Sequence, residues 1–101
     1  MPAAANRQPT PRIAVSCIVR GRVQMVGFRA FAAAAADQLG VSGWVRNRPD
    51  GAVEVLAQGA PQLVQELVQR LRRGPAAARV ETCEETPVGI NLHLVGFRIV
   101  G

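Results

Sequence analysis

The sequence contains no lysine: all 12 basic residues are arginine, set against seven acidic residues for a formal net charge of +5. Arginine is a rigid, always-charged fork suited to phosphate and carboxylate. The excess favours anionic ligands without choosing between nucleic acid and a small phosphate. A background bias toward arginine gives the same composition. Aromatic side chains are equally scarce, limited to Phe28, Phe31, Trp44 and Phe97. RNA-recognition domains stack bases on exposed aromatics of a sheet. No strand-like segment here carries an aromatic pair, so a nucleic-acid partner is not expected. There is one histidine, His93, in an unremarkable position near the C-terminus. No cluster of His, Cys, Asp or Glu has metal-ligand spacing, so neither a metal nor another cofactor is expected. No apolar run approaches the roughly 20 residues that span a bilayer, which argues against a membrane partner. The first dozen residues lack the apolar core of a secretory signal. Cys17 and Cys83 are therefore read as free thiols of a cytoplasmic protein.

What is present fits one small domain. With 101 residues the chain can bury a single modest core. Residues 1–12, rich in Pro, read as a disordered tail, and 13–101 as the folded unit. Residues 13–20 alternate and are β-branched, predicting a strand with Val15, Cys17 and Val19 on one face. Residues 28–39 predict a helix with Phe28, Phe31, Ala32, Ala35 and Leu39 on one stripe and Gly40 as a left-handed cap. Segments 42–48 and 52–58 read as strands joined by the turn chemistry of Arg48-Pro49-Asp50-Gly51. A second helix begins at Pro61, aligns Leu63, Val64, Leu67, Val68 and Leu71, and stops at Gly74-Pro75. Segments 78–86 and 94–100 read as final strands, with Phe97 and Ile99 pointing the same way. The order is β-α-β-β-α-β with a short additional strand. It predicts an α+β, ferredoxin-like sandwich: an antiparallel sheet with two helices on one face.

The stretch that points to chemistry, on physical grounds, is Gly21-Arg22-Val23-Gln24-Met25-Val26-Gly27-Phe28-Arg29. A strand ends, a glycine-bounded loop turns and a helix begins at once. The first N–H groups of a helix lack intrahelical partners and carry partial positive charge. Such a loop followed by Arg can grip an anion. A routine strand–helix connection with surface arginines fits the same residues. The loop lacks the Gly-Lys-Ser/Thr of a Walker A motif. It also lacks the Cys-x5-Arg spacing of a cysteine phosphatase, since Val23 stands where that arginine would be. Chemistry here must run without a nucleophile, a histidine base or a metal. A carboxylate leaving group suits that restriction. Its parent acid has a pKa of roughly 4, so it departs unprotonated, and phosphoryl transfer to water then needs mainly positioning and charge stabilisation.

These residues resemble the acylphosphatase family. Its first signature runs Gly-x-Val-Gln-Gly-Val-x-Phe-Arg, and Gly21 to Arg29 match every fixed position but one. Its second is met completely by Gly43-Trp44-Val45-Arg46-Asn47, Gly51, Val53 and Gly59. The resemblance covers about residues 13–100. It implies hydrolysis of the carboxyl–phosphate bond of small acyl phosphates to carboxylate and inorganic phosphate, by a monomer. Arg29 corresponds to the phosphate-gripping arginine and Asn47 to the asparagine that orients the attacking water. The main-chain N–H groups of Arg22, Val23, Gln24, Met25, Val26 and Gly27 correspond to the phosphate cradle. The resemblance further implies that the phosphate itself takes the water's proton, which agrees with the missing base. Arg20, Arg22, Arg46 and Arg48 lie near these positions in sequence and are expected to steer anions.

The departure is Met25, which stands where the family has glycine. If that position needs a positive φ, methionine adds strain; if it needs clearance, the side chain crowds the phosphate. Crowding is the expectation, because the side chain is long and the loop faces a ligand. This departure keeps open a second reading, a catalytically weak phosphate-binding relative. A nucleic-acid-binding ferredoxin-like module is the remaining alternative.

Overall fold

The computed structural model describes residues 11–101. The expected tail therefore lies outside the described residues, apart from the exposed Pro11 and Arg12. The elements follow in the order β1 (Ile13–Arg22), α1 (Phe28–Leu39), β2 (Ser42–Asn47), β3 (Val53–Gly59), α2 (Pro61–Arg73), β4 (Arg79–Val88) and β5 (Phe97–Ile99). They form the ferredoxin-like α+β sandwich, one five-stranded sheet in the order β4-β1-β3-β2-β5. No described helix is long and apolar enough to cross a membrane.

Alternation along β1 buries Val15, Cys17 and Val19, and β3 does the same with Val53, Val55 and Ala57. Each of these valines contributes about 1.5–3 kcal/mol when fully withdrawn from water. The helices close over this face. In α2 the buried set is Val64, Leu67, Val68 and Leu71, an i, i+3, i+4, i+7 stripe. Leu63, expected on the stripe, is 39% exposed, because one residue before Val64 is a turn of about 100° away from the core line. In α1, Phe28, Ala32, Ala35 and Ala36 are buried; Phe31 and Leu39 are only half-buried. Gly40 closes α1 in the left-handed conformation, its N–H donating to the Ala36 and Asp37 carbonyls.

Two expectations change at the C-terminal end. The last strand is shorter than 94–100, because residues 92–93 form a turn and Gly96 takes φ +69°. It also pairs parallel with β2, so the sheet is mixed rather than wholly antiparallel. Gln58 sets this path: its amide donates to the Asn91 carbonyl at 2.9 Å, and its oxygen accepts from the Asn91 N–H at 2.8 Å. The loop is thus tied to β3 before the chain reaches the β2 edge.

Register decides where function can reside. Val19 pairs with Val53 and Val53 with Asn47. The ends of β1 and β2 therefore lie at the same end of the sheet, with the start of β3 between them. Because β5 runs parallel to β2, the chain also finishes at that end. Cys17 and Cys83 are free thiols on the adjacent strands β1 and β4. They are offset by two positions, since Cys17 pairs with Glu85 and Cys83 with Val19.

Candidate active site

The loop between β1 and α1 is pinned from both sides. Gly21 takes φ +128° at the β-bulge that ends the regular β1–β4 register, and a Cβ there would collide with the Arg79 carbonyl oxygen. At the other end Gly27 adopts φ +79°, ψ 18° and hands the chain to α1. Its carbonyl accepts the first helical hydrogen bond from the Phe31 N–H at 3.0 Å. Phe28 is 1% exposed and packs edge-on against Phe31 with ring centroids 5.9 Å apart, which anchors the helix start in the core.

Between these points the side chains of Val23 and Val26 turn into the core. The amide of Gln24 reaches across to the β2–β3 turn. It donates to the Arg48 carbonyl at 2.9 Å and to the Ala52 carbonyl at 3.0 Å. That turn follows Asn47 directly, so one side chain joins the loop to the segment carrying the asparagine. Sequence reasoning credited Gln24 only with a main-chain N–H. The signature glutamine was the available signal, but spacing does not reveal carbonyl partners 24 and 28 residues away. Met25 has φ +64°, the one non-glycine among the described residues with positive φ. Its side chain is 99% exposed. Of the two alternatives for this position, the backbone takes the strained one, at about 1–2 kcal/mol for an L-residue, and the side chain projects into solvent instead of filling the loop.

The helix terminus is electrostatically open. Helix α1 has no side-chain cap and no acidic residue in its first turn, so its leading N–H groups keep their partial positive charge. Arg29 lies in that turn, and its Nη1 donates to the Gly101 main-chain oxygen at 2.7 Å. The same oxygen accepts from the Asn47 main-chain N–H at 2.9 Å. Arg29 and Asn47, 18 positions apart in sequence, thus converge on one atom. The Asn47 side-chain oxygen is buried and has no hydrogen-bond partner. A buried unpaired acceptor costs about 1–3 kcal/mol.

Beside the site the arginines are mostly engaged. Arg46 makes a two-point contact with Glu54, at 2.7 and 2.8 Å. Asp50 accepts from the Ala52 N–H at 3.1 Å and from Arg48 and Arg20 at 3.3 Å. That N–H, with the two guanidinium groups, holds the Asp50 carboxyl at about 2. Arg22 pairs across strands with Arg79, and neither meets a carboxylate among the described residues. A cavity of about 310 Å³ lies elsewhere, against Trp44, His93 and Arg98. No residue of the loop lines it. The β1–α1 loop lies at the surface, apart from this cavity.

The acylphosphatase family profile matches residues 15–99. The chain belongs to the acylphosphatase family. An acylphosphatase of Koribacter versatilis is 51% identical over 84 residues, covering 83% of this chain and 76% of that protein. One from Nitrobacter hamburgensis is 53% identical over 74 residues, covering 73% and 75%. Among solved structures, the acylphosphatase from Bacillus subtilis superposes with a TM-score of 0.84 at 37% identity, covering 88% of this chain and 99% of that one. The comparisons favour neither a nucleic-acid-binding module nor a phosphate-binding relative of low activity. As a member of an acylphosphatase family the chain is a hydrolase, and its candidate residues are those at the shared end of β1, α1 and β2.

Proposed function

We propose that this chain hydrolyses the carboxyl–phosphate anhydride of small acyl phosphates by direct attack of water, with Arg29 and the N–H groups of residues 22–27 as a phosphate-binding loop. The observation that carries the reading is the convergence of Arg29 and the Asn47 main chain on the same Gly101 oxygen, with the Asn47 side-chain oxygen buried and unpartnered. A water donating one hydrogen to that oxygen has its lone pair free to attack phosphorus. The new P–O bond forms as the bond to the acyl oxygen breaks. The bridging electron pair leaves on the carboxylate, which needs no proton because its parent acid, with a pKa of roughly 4, is ionised at neutral pH. The water's proton passes to a phosphoryl oxygen, giving inorganic phosphate. Arg29 uses one of its five donors on Gly101, leaving a fork for two phosphoryl oxygens.

Every group invoked comes from one chain, which supports action as a monomer. Two free thiols support a reducing, cytoplasmic setting. The sheet face opposite the helices offers one aromatic, Trp44, and the Arg46 guanidinium lies 5.9 Å from its ring, which argues against base stacking. Phosphate release from acetyl phosphate and benzoyl phosphate tests the assignment. Arg29→Ala is expected to lower kcat/KM at least ~10²-fold, the loss seen when a transition-state donor is removed. Arg29→Lys is expected to fail similarly, since a point charge does not reproduce the fork. Near-normal hydrolysis by Arg29→Ala overturns the reading.

A further inference from the structure

Within residues 23–27 every side chain but one is held by the fold. Val23 and Val26 pack into the core and Gln24 is bonded to the β2–β3 turn. Met25 alone reaches outward, 99% exposed, from a backbone with φ +64°. Left-handed backbone is uncommon outside glycine, and the residues that tolerate it are Asn, Asp and His rather than Met. Packing does not account for this residue, because the side chain touches nothing in the chain. Backbone geometry does not either, because glycine would fit better. Its apolar surface is available only to something outside the chain.

The site itself says what that something is. A phosphoryl group in the cradle turns three oxygens toward the loop N–H groups and Arg29. The fourth, bridging oxygen carries the acyl group away from the protein, past the outer surface of the loop. From residues 23–27 the exposed apolar side chain it meets there is Met25. A thioether on an unbranched stem adapts to irregular apolar surfaces and makes favourable contacts with aromatic rings.

We propose that Met25 is a specificity-determining contact that packs against the acyl group and selects acyl phosphates with bulky apolar or aromatic acyl groups over acetyl phosphate. The proposal rests on the reading of residues 22–27 as the phosphate cradle. The preference belongs to the leaving half of the substrate and is separate from the charge recognition common to all acyl phosphates.

The test compares kcat/KM for benzoyl phosphate and acetyl phosphate in the wild type, Met25→Gly, Met25→Asn and Met25→Leu. Differences in intrinsic reactivity cancel when the benzoyl/acetyl ratio is compared between variants. Asn tolerates the left-handed backbone, so it removes the apolar contact without adding strain. The ratio is expected to fall about fivefold or more in the Gly and Asn variants, within the range of partial hydrophobic contacts. It is expected to stay within about twofold in Met25→Leu, which keeps an apolar side chain of similar volume. A ratio unchanged in both Gly and Asn overturns the proposal. Calorimetric binding of phenylphosphonate and methylphosphonate gives the same ratio without catalysis. A wild type that binds neither phosphonate refutes the cradle reading beneath it. A wild type that binds both equally, with no change on substitution, refutes only the role of Met25.

Discussion

Asn47 and Arg29 meet at the Gly101 main-chain oxygen, yet they present different groups to the space beyond it. Arg29 offers charged donors for phosphoryl oxygens; Asn47 offers a buried acceptor with no partner, which suits a water molecule. Removing each should therefore be felt in different constants. Asn47→Ala is expected to lower kcat by about 10²-fold while the inhibition constant for inorganic phosphate stays within about twofold. Arg29→Ala is expected to weaken phosphate inhibition as well as rate. Phosphate inhibition measured on both variants decides it, and equal weakening in the two refutes the division of roles. Both positions were legible in the sequence as signature residues on a strand end and a helix start. The Gln24 bonds to Arg48 and Ala52 were not, nor the shared Gly101 acceptor, because both are tertiary contacts that local spacing does not encode. At Met25 the sequence pointed to crowding of the phosphate by a long side chain, whereas the backbone takes the positive φ that brings strain and the side chain is exposed; that angle is not encoded in spacing.

The helices were readable nearly to the residue, because alanine content in α1 and the apolar stripe of α2 are local signals bounded by Gly27, Gly40, Pro61 and Gly74. The fifth strand was not, since its parallel pairing with β2 depends on where Gln58 ties the preceding loop. The β2–β3 turn shows how an element's chemistry supports the site. Asp50 closes it through the Ala52 N–H, reinforced by Arg48 and Arg20, and the Gln24 amide lands on the same turn. Those contacts lower the Asp50 carboxyl from 3.8 to about 2. A folded-state value below the unfolded one means the carboxylate stabilises the fold above pH 3.8 and that the contribution fades as pH falls toward 2. Asp50→Asn keeps the turn propensity and removes the charge. It is expected to melt at a lower temperature than wild type near neutral pH, with the gap narrowing between about pH 4 and pH 2. Thermal melts across that window check it; a constant gap would show that the charge does not hold the turn.

At the scale of the whole molecule, a net charge of +5 carried only by arginine takes on a direction once the pairings are known. The sequence grouped Arg20, Arg22, Arg46 and Arg48 as steering charges. Three of these are engaged by Asp50 or Glu54. The guanidinium groups without carboxylate partners beside the loop are those of Arg22 and Arg79, which face each other across β1 and β4. Like charges placed directly opposite destabilise a strand pair, so this arrangement raises the local positive potential at the mouth of the cradle at some cost to the sheet. Such a potential concentrates anions and speeds their encounter with the site. It is screened beyond about 10 Å at 0.1 M salt. Acyl phosphate kcat/KM is therefore expected to fall several-fold as sodium chloride rises from about 0.01 to 0.3 M, while kcat stays nearly level, because chemistry in the bound complex does not depend on encounter. Chloride competing in the cradle would give a similar slope, so the discriminating variant is Arg79→Gln. Arg79 touches neither phosphate nor water in the proposed reaction. Replacing it should lower kcat/KM at low salt, leave kcat unchanged, and flatten the salt profile toward a common value at high salt. An Arg79→Gln profile parallel to wild type would assign the salt effect to competition within the cradle and leave the unpaired arginines without a part in substrate capture.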